Sequence, residues 1–219
     1  MRRVAQPQVE NAVRRNGPEI GGHAEFLSGN GYKWGVYETA EDLARLQELI
    51  DDSARRASPG LRASFGLPEQ SLSAAQVVRR CDGVFQVVLA TVTAAGEPRC
   101  APVGALFVHG RLYVPTTAGS FRARNLAARP ALSLSLAGDD GFALVAHGAG
   151  ELVTPADPGF GEVEDAQFAA RGTRVGDWGR GLFIRARLGS LFTYARDPKS
   201  YPPAEPAPAA DPTGPARRS

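Results

Sequence analysis

The chain of 219 residues has few of the side chains that usually carry metal or thiol chemistry. Its two cysteines, Cys81 and Cys100, and its three histidines form neither a CxxC pair nor a Cys/His cluster. This spacing gives no zinc site and no disulfide framework, so we predict reduced thiols and no bound metal. A GxSxG nucleophile motif is also missing, and nothing in the sequence argues for a hydrolase.

Excess charge and long apolar runs are equally scarce. The formal net charge is +2, which gives no case for nucleic acid or a membrane surface as a partner. No run of 18 apolar residues occurs, and the first fifteen residues lack the apolar core of a signal peptide. We therefore predict a cytoplasmic protein that binds neither nucleic acid nor a membrane.

Composition divides the chain into four parts. Residues 1–30 are polar with scattered arginines, and we predict a disordered N-terminal arm. Residues 31–83 form a predicted N-terminal helical region, and residues 84–195 the folded domain. Residues 196–219 hold seven of the 17 prolines, which predicts a Pro-rich disordered tail.

The helical region has two helix starts. Thr39 can cap a helix over 39–57, with Asp42 near the capping-box position, and Ser58-Pro59-Gly60 is expected to end it. Ser73 with Gln76 makes a second capping box, which predicts a helix that ends near residue 81.

Residues 84–195 contain short apolar, β-branched runs separated by turn residues. Such short runs with tight turns favour antiparallel pairing, because parallel strands need a long crossover. The predicted strands are 85–92, 99–108, 111–116, 131–136, 142–153 and 182–194. We predict a mainly β protein in which six antiparallel strands are flanked by helices.

Between the third and fourth runs the pattern changes to a hydroxyl-rich loop and a short basic helix. Ser120 is a good N-cap for a helix over 121–128, which carries Arg122 and Arg124. Amide N–H groups, the helix dipole and guanidinium groups converge at such a helix start. This pattern indicates a binding site for an anionic phosphate.

The ordered segments LATVTAAGEPRCAPVGALF and HGRLYVPTTAGSFRARNLAARPALSLSL are similar to the pyridoxamine 5'-phosphate oxidase-like family. The resemblance covers about 75 residues closely, and it extends more loosely to Ala195. It implies a mainly β fold, a six-stranded antiparallel split β-barrel with flanking helices. It also implies that the barrel binds FMN or, as an alternative, the deazaflavin coenzyme F-420. It also implies a homodimer, because the flavin of this family lies between two subunits, so that one subunit holds an incomplete site.

The resemblance also implies site residues on the helix side. Ser120 and Arg122 match the phosphate-binding serine and basic residue of the family. Thr116 and Thr117 match the loop that faces the phosphate or the ribityl chain. Asn125 matches the asparagine of the family's RNL motif. Its side chain would fix the loop from the helix side.

On the second strand, the resemblance implies that Pro102, Val103 and Gly104 line the flat face of the flavin ring. The alternative is a simple strand bulge, because Pro102 cannot donate to a sheet ladder. Arg99 would reach the ring or the phosphate. No catalytic side chain is predicted, because a flavin carries the hydride or electrons itself.

Two positions depart from the oxidases that name the family. Ala101 and Leu106 stand where those enzymes have an arginine and a lysine that touch the flavin. We therefore predict a flavin-dependent oxidoreductase acting on an unassigned small molecule. The alternatives are a non-enzymatic flavin or haem carrier, with His147 or His109 as haem ligand, and a barrel that has lost its cofactor and serves as a structural or partner-binding dimer.

Overall fold

The fold is a closed barrel of six antiparallel strands in the order β1-β2-β3-β6-β5-β4. The computed structural model describes residues 37–207. The N-terminal arm predicted at 1–30, the first residues of the helical region and the last part of the tail lie outside the described residues. Within the described part, the barrel with its flanking helices confirms the predicted fold class.

The elements within residues 37–207 are close to the predicted ones. The helices are α1 (Ala40–Arg56), α2 (Pro59–Phe65), α3 (Ala74–Arg80), α4 (Phe121–Ala128) and α5 (Phe160–Arg171). The strands are β1 (Phe85–Val92), β2 (Pro98–Val108), β3 (Arg111–Thr117), β4 (Ala131–Ala137), β5 (Phe142–Val153) and β6 (Gly181–Ala195). Short 3₁₀ turns follow α5 at Val175–Trp178 and β6 at Pro198–Ser200.

Both predicted helix starts carry complete capping boxes. Thr39 accepts from the Asp42 amide while the Asp42 carboxylate accepts from the Thr39 amide, and Ser73 and Gln76 do the same. The sequence prediction missed α2. Ser58 was expected to end a helix, but it caps a new one, because its hydroxyl accepts from the Leu61 amide and proline is well tolerated in the first turn.

The barrel interior is filled by the inward residues of every strand. Leu112, Leu144 and Ile184 are fully buried there. Residues of α1 and α3, such as Ile50 and Val77, belong to the same core at one end of the barrel. Leu126 of α4 joins it from the end at which β1 finishes. The helices thus close the barrel ends.

The barrel wall is split between β2 and β3. These strands pair only through Leu106↔Tyr113, Phe107↔Leu112 and Val108↔Arg111. The earlier part of β2 pairs with β1, and β3 pairs with β6 from Leu112 to Thr117. The two strands therefore diverge away from their hairpin, and the segment Pro102–Gly104 and the segment Thr116–Thr117 lie on opposite strands of this split.

The first part of the tail departs from the sequence prediction. Disorder was expected from residue 196, yet the chain is packed as far as residue 207. The Gln76 amide group donates to the carbonyls of Pro198 and Tyr201, both at 2.8 Å. Tyr201 is buried and its hydroxyl donates to the Asp140 carbonyl at 3.1 Å. Proline content alone did not reveal this docking. A proline-rich extended segment can either pack on the domain or remain disordered, and its composition is the same in both cases.

Candidate functional site

Three predicted phosphate-binding residues meet at the start of α4. Arg122 Nη1 donates to Thr116 Oγ1 at 3.0 Å, and Thr116 Oγ1 donates to Ser120 Oγ at 2.9 Å. Ser120 Oγ also caps the helix by accepting from the Ala123 amide at 3.2 Å. Thr116 is buried, whereas Ser120 and Arg122 are half-buried at the surface. Neither Ser120 nor Arg122 therefore points away into bulk solvent.

This cluster has donors left over. The Ser120 oxygen accepts two hydrogen bonds, and its own proton has no acceptor within residues 37–207. Arg122 uses one of its donors on Thr116 and has no carboxylate within ion-pair distance among the described residues. The backbone amides of Phe121 and Arg122, in the first turn of α4, are likewise without a carbonyl partner in that part of the chain. A helix start at which a hydroxyl, a guanidinium and two backbone amides all have unused N–H or O–H donors is suited to binding an anion.

The loop before α4 is held rigidly. The Ala118 amide donates to the Arg180 carbonyl at 2.8 Å, and the Ser120 amide donates to the Thr117 carbonyl at 3.0 Å. Asn125 Nδ2 donates to Thr91 Oγ1 of β1 at 3.0 Å. Asn125 thus ties the helix to the barrel. This bond is consistent with the predicted role of Asn125 in positioning the loop, and it engages the amide group that a direct contact with a ligand would need.

The β2 residues are divided between the two faces of the strand. Pro102 is exposed on the outer face, opposite Val88, which is 42% exposed. Val103 points into the barrel core and is 8% exposed, so only its backbone can face a ligand outside the barrel. Gly104 is half-buried, and a Cβ there would come within 3.0 Å of Val84. The predicted ring contact at this stretch stays a prediction.

Arg99 lies apart from the helix cluster. Its guanidinium is exposed, donates to Glu97 Oε2 at 2.6 Å and donates to the Pro98 carbonyl at 3.0 Å. In the β1–β2 ladder Arg99 is paired with Thr91, the residue that accepts the hydrogen bond from Asn125.

The two histidines considered as haem ligands have different surroundings. His109 Nδ1 bonds Asp42 Oδ2 at 3.1 Å, and its Nε2 bonds Glu162 Oε1 at 2.7 Å, so both ring nitrogens are engaged. His147 bonds Ser133 Oγ through Nδ1 at 2.8 Å and leaves Nε2 unpaired within the described residues. Within residues 37–207 no group of three or more His, Cys, Asp or Glu could hold a metal ion.

Sequence reasoning missed two supports of the site. Thr91 receives the Asn125 bond, and Arg180 receives the loop amide through its carbonyl. The sequence signal for the first was a threonine within an apolar strand, because a hydroxyl buried there needs a partner. In the structure Thr91 is only 4% exposed. No side-chain pattern could have revealed the second, since the bond uses only backbone groups.

A closed antiparallel six-stranded barrel, with unused hydrogen-bond donors at a helix start beside its split, has the architecture of a split barrel. The family model described as "Pyridoxamine 5'-phosphate oxidase" matches residues 76–192, which is more than half of the chain, and the chain belongs to this family. No curated protein matches the sequence.

Several solved structures are similar to this chain at low sequence identity. A conserved hypothetical protein of Mycobacterium tuberculosis, Rv2991, is 18% identical with a TM-score of 0.51, and the match covers 65% of this chain and 96% of that one. An F-420 reductase is 20% identical with a TM-score of 0.40, covering 62% and 98%. The heme storage protein HutZ of Vibrio cholerae is 18% identical with a TM-score of 0.46, covering 54% and 89%.

Proposed function

We propose that this protein is a flavin-dependent oxidoreductase that binds FMN, with coenzyme F-420 as the alternative cofactor, and acts on a small organic molecule. The observation that carries the proposal is the unused donor set of Ser120 and Arg122 at the start of α4. Family membership supports a flavin as the group that brings the phosphate.

The residues at α4 would bind and orient the cofactor. Arg122 polarises the Thr116 hydroxyl, which in turn donates to Ser120, so the Ser120 proton is directed to an acceptor outside the chain. A phosphate there would accept from Ser120, from Arg122 and from the first amides of α4. Because these groups are already ordered by the Asn125 and Arg180 contacts, little side-chain entropy is lost on binding.

The opposite strand of the split would take the planar part of the cofactor. Pro102 and the backbone of Val103 and Gly104 present a surface without charged side chains. When bound, the flavin supplies hydride or electron transfer, and the chain supplies binding and orientation.

Leu106 argues against oxidation of pyridoxamine 5'-phosphate as the reaction. It is 2% exposed and packs in the apolar cluster that β2 and β3 form with α5. A lysine at this position would have to bury its charge in that cluster, which is costly. Ala101 packs against the barrel core and offers no donor. These contacts support a different small-molecule substrate.

We further propose that the active form is a homodimer. Val88 on β1 and Phe121 on α4 are exposed at 42% and 79%, next to the two parts of the proposed cofactor site. A second subunit that covers these side chains would also shield a cofactor at the split from water. A closed two-fold interface of this kind is the commonest form of assembly.

A reducing compartment such as the cytoplasm is part of the proposal. Cys81 and Cys100 are both free thiols, which supports it. Burial raises the pKa of the Cys81 thiol to about 12, so this group stays protonated and unreactive at neutral pH. In the described part of the chain, no helix is long and apolar enough to cross a membrane.

Titration of the purified protein with FMN, with coenzyme F-420 and with haem tests the proposal. We expect saturable flavin binding, visible as a change in the flavin absorption band. Arg122→Gln should weaken it by about tenfold or more, because a charge-assisted bond to phosphate is lost. Arg79→Gln, an exposed arginine of α3, is the matched control and should bind as wild type. A Soret band with haem and no flavin binding would favour the carrier alternative, and no binding of any of the three would favour the structural one.

A further inference from the structure

A cavity of about 400 Å³ lies between α1 and the barrel wall formed by β3 and β6, beside the β2–β3 turn. None of the nine residues predicted to bind the cofactor lines it. It is therefore separate from the helix start at α4. Its volume is in the range of small-molecule sites.

Part of the cavity lining is apolar. Leu46 of α1 and Leu112 of β3 are core residues with only 3% and 0% exposure, and they form its base. Leu49 and Leu188 are half-buried at its sides. These side chains give an apolar molecule a surface from which water can be displaced.

Four arginines surround this apolar base, and two of them are neutralised. Arg45 pairs with Glu41 and Asp42 on its own helix. Arg185 Nη2 pairs with Glu151 Oε2 across β5 and β6 at 2.8 Å. These two arginines have their counter-charges within the fold.

The other two arginines, Arg111 and Arg187, have none among the described residues. The ladder pair Leu112↔Ala186 places Arg111 of β3 directly opposite Arg187 of β6, and residues so paired have Cβ atoms about 5 Å apart. On its other side Arg187 faces Ala149 of β5, which offers no charge. Within residues 37–207 neither guanidinium has a hydrogen bond or an ion pair, whereas Arg185, two residues along the strand, has both.

Two like charges that stand opposite each other across a ladder destabilise it unless an anion lies between them. Two guanidinium groups carried on facing positions of a ladder can turn their N–H donors to one carboxylate or phosphate group. The cavity thus combines a cationic pair at its rim with an apolar base.

We propose that this cavity binds a small amphiphilic anion, whose carboxylate or phosphate group lies between Arg111 and Arg187 and whose apolar part packs on Leu46, Leu49 and Leu188. The site is independent of the proposed cofactor site. Ligand binding at this cavity can therefore be measured without any flavin present.

Isothermal titration calorimetry with octanoate, octyl phosphate and inorganic phosphate tests this site. We expect saturable binding of octanoate or octyl phosphate, and the stronger of the two identifies the acid group. Arg111→Gln and Arg187→Gln should each weaken it by about tenfold or more, since each removes a charge-assisted bond. Arg196→Gln, an exposed arginine directly after the end of β6, is the matched control and should bind as wild type.

Thermal unfolding keeps the test independent of folding defects. Octanoate should raise the melting temperature of the wild type and of Arg196→Gln, but not that of Arg111→Gln. Absence of saturable binding by the wild type would overturn the proposal, as would an Arg111→Gln variant that binds normally. Equal affinity for inorganic phosphate and octyl phosphate would overturn the role of the apolar base.

Discussion

At the scale of single residues, His109 connects two helices through the tip of the β2–β3 hairpin. It bonds Asp42 of α1 and Glu162 of α5. Burial disfavours its charged form, but the hydrogen bonds and charges of Glu162 and Asp42 outweigh that effect, and the pKa of His109 is raised. The imidazolium therefore stabilises the fold, and this contribution is complete below the unfolded pKa of about 6.5 and is lost as the pH rises through the folded pKa.

We expect His109→Asn to lower the free energy of unfolding by about 1 kcal/mol or less at pH 6, since the pair is partly exposed. Asparagine tolerates the positive φ of 53° found here, so the hairpin itself should be retained. The difference from wild type, measured by urea unfolding, should shrink between pH 6 and pH 9. Glu162→Gln should reduce this pH dependence and leave the part that Asp42 contributes. A difference that grows with pH would contradict the assignment.

Residue-scale prediction succeeded where a motif has one geometric solution. Ser120 was predicted to cap a helix that ends before Pro130, and both ends are confirmed. The prediction for Val103 was less specific. The resemblance indicates a stretch of β2, but it does not show which side chains of that stretch point into the barrel. The ion pair of Arg99 with Glu97 depends on rotamers, which no sequence pattern fixes.

At the scale of elements, α3 is the helix on which the folded tail depends. Gln76 closes its capping box and also donates to the carbonyls of Pro198 and Tyr201. We expect Gln76→Ala to lower the free energy of unfolding by about 2 kcal/mol, through the loss of half the box and of both tail bonds. Ser73→Ala removes the cap alone and should cost about 1 kcal/mol. Equal losses in urea unfolding would show that the tail bonds contribute nothing.

Element prediction failed where packing rather than local pattern decides. Strong caps gave the starts of α1 and α3, and turn residues gave the strands nearly to the residue. The seven-residue α2 lacks an apolar repeat long enough to detect, since its sequence PGLRASF spans two turns. The tail is ordered by long-range bonds to Ala75 and Glu38, which leave no local trace.

At the scale of the whole molecule, the proposed dimer makes its own prediction. Val88 is an exposed β-branched residue in the middle of β1, opposite Pro102. We expect the wild type to elute as a dimer in size-exclusion chromatography with light scattering. Val88→Glu should shift it toward a monomer, because a buried unpaired carboxylate opposes association. Ala169→Glu, on the exposed side of α5, is the control and should remain dimeric. A monomeric wild type would contradict the proposed assembly.

The antiparallel sheet could be predicted from six short strands with tight turns, and its closure into a barrel followed from the family resemblance. The split between β2 and β3 could not, because it depends on which half of each strand pairs with which neighbour. The cavity beside Arg111 and Arg187 was also not foreseen, since its residues come from α1, β3 and β6.

The central claim is that the start of α4 holds the phosphate of a flavin, and the most direct test compares FMN with riboflavin, which lacks that phosphate. We expect the wild type to bind FMN about tenfold or more tighter than riboflavin, because Ser120 and Arg122 contribute charge-assisted bonds only to FMN. In Arg122→Gln this ratio should fall toward one, with riboflavin affinity unchanged. Equal affinity of the wild type for the two flavins, or a ratio that Arg122→Gln leaves intact, would contradict the claim.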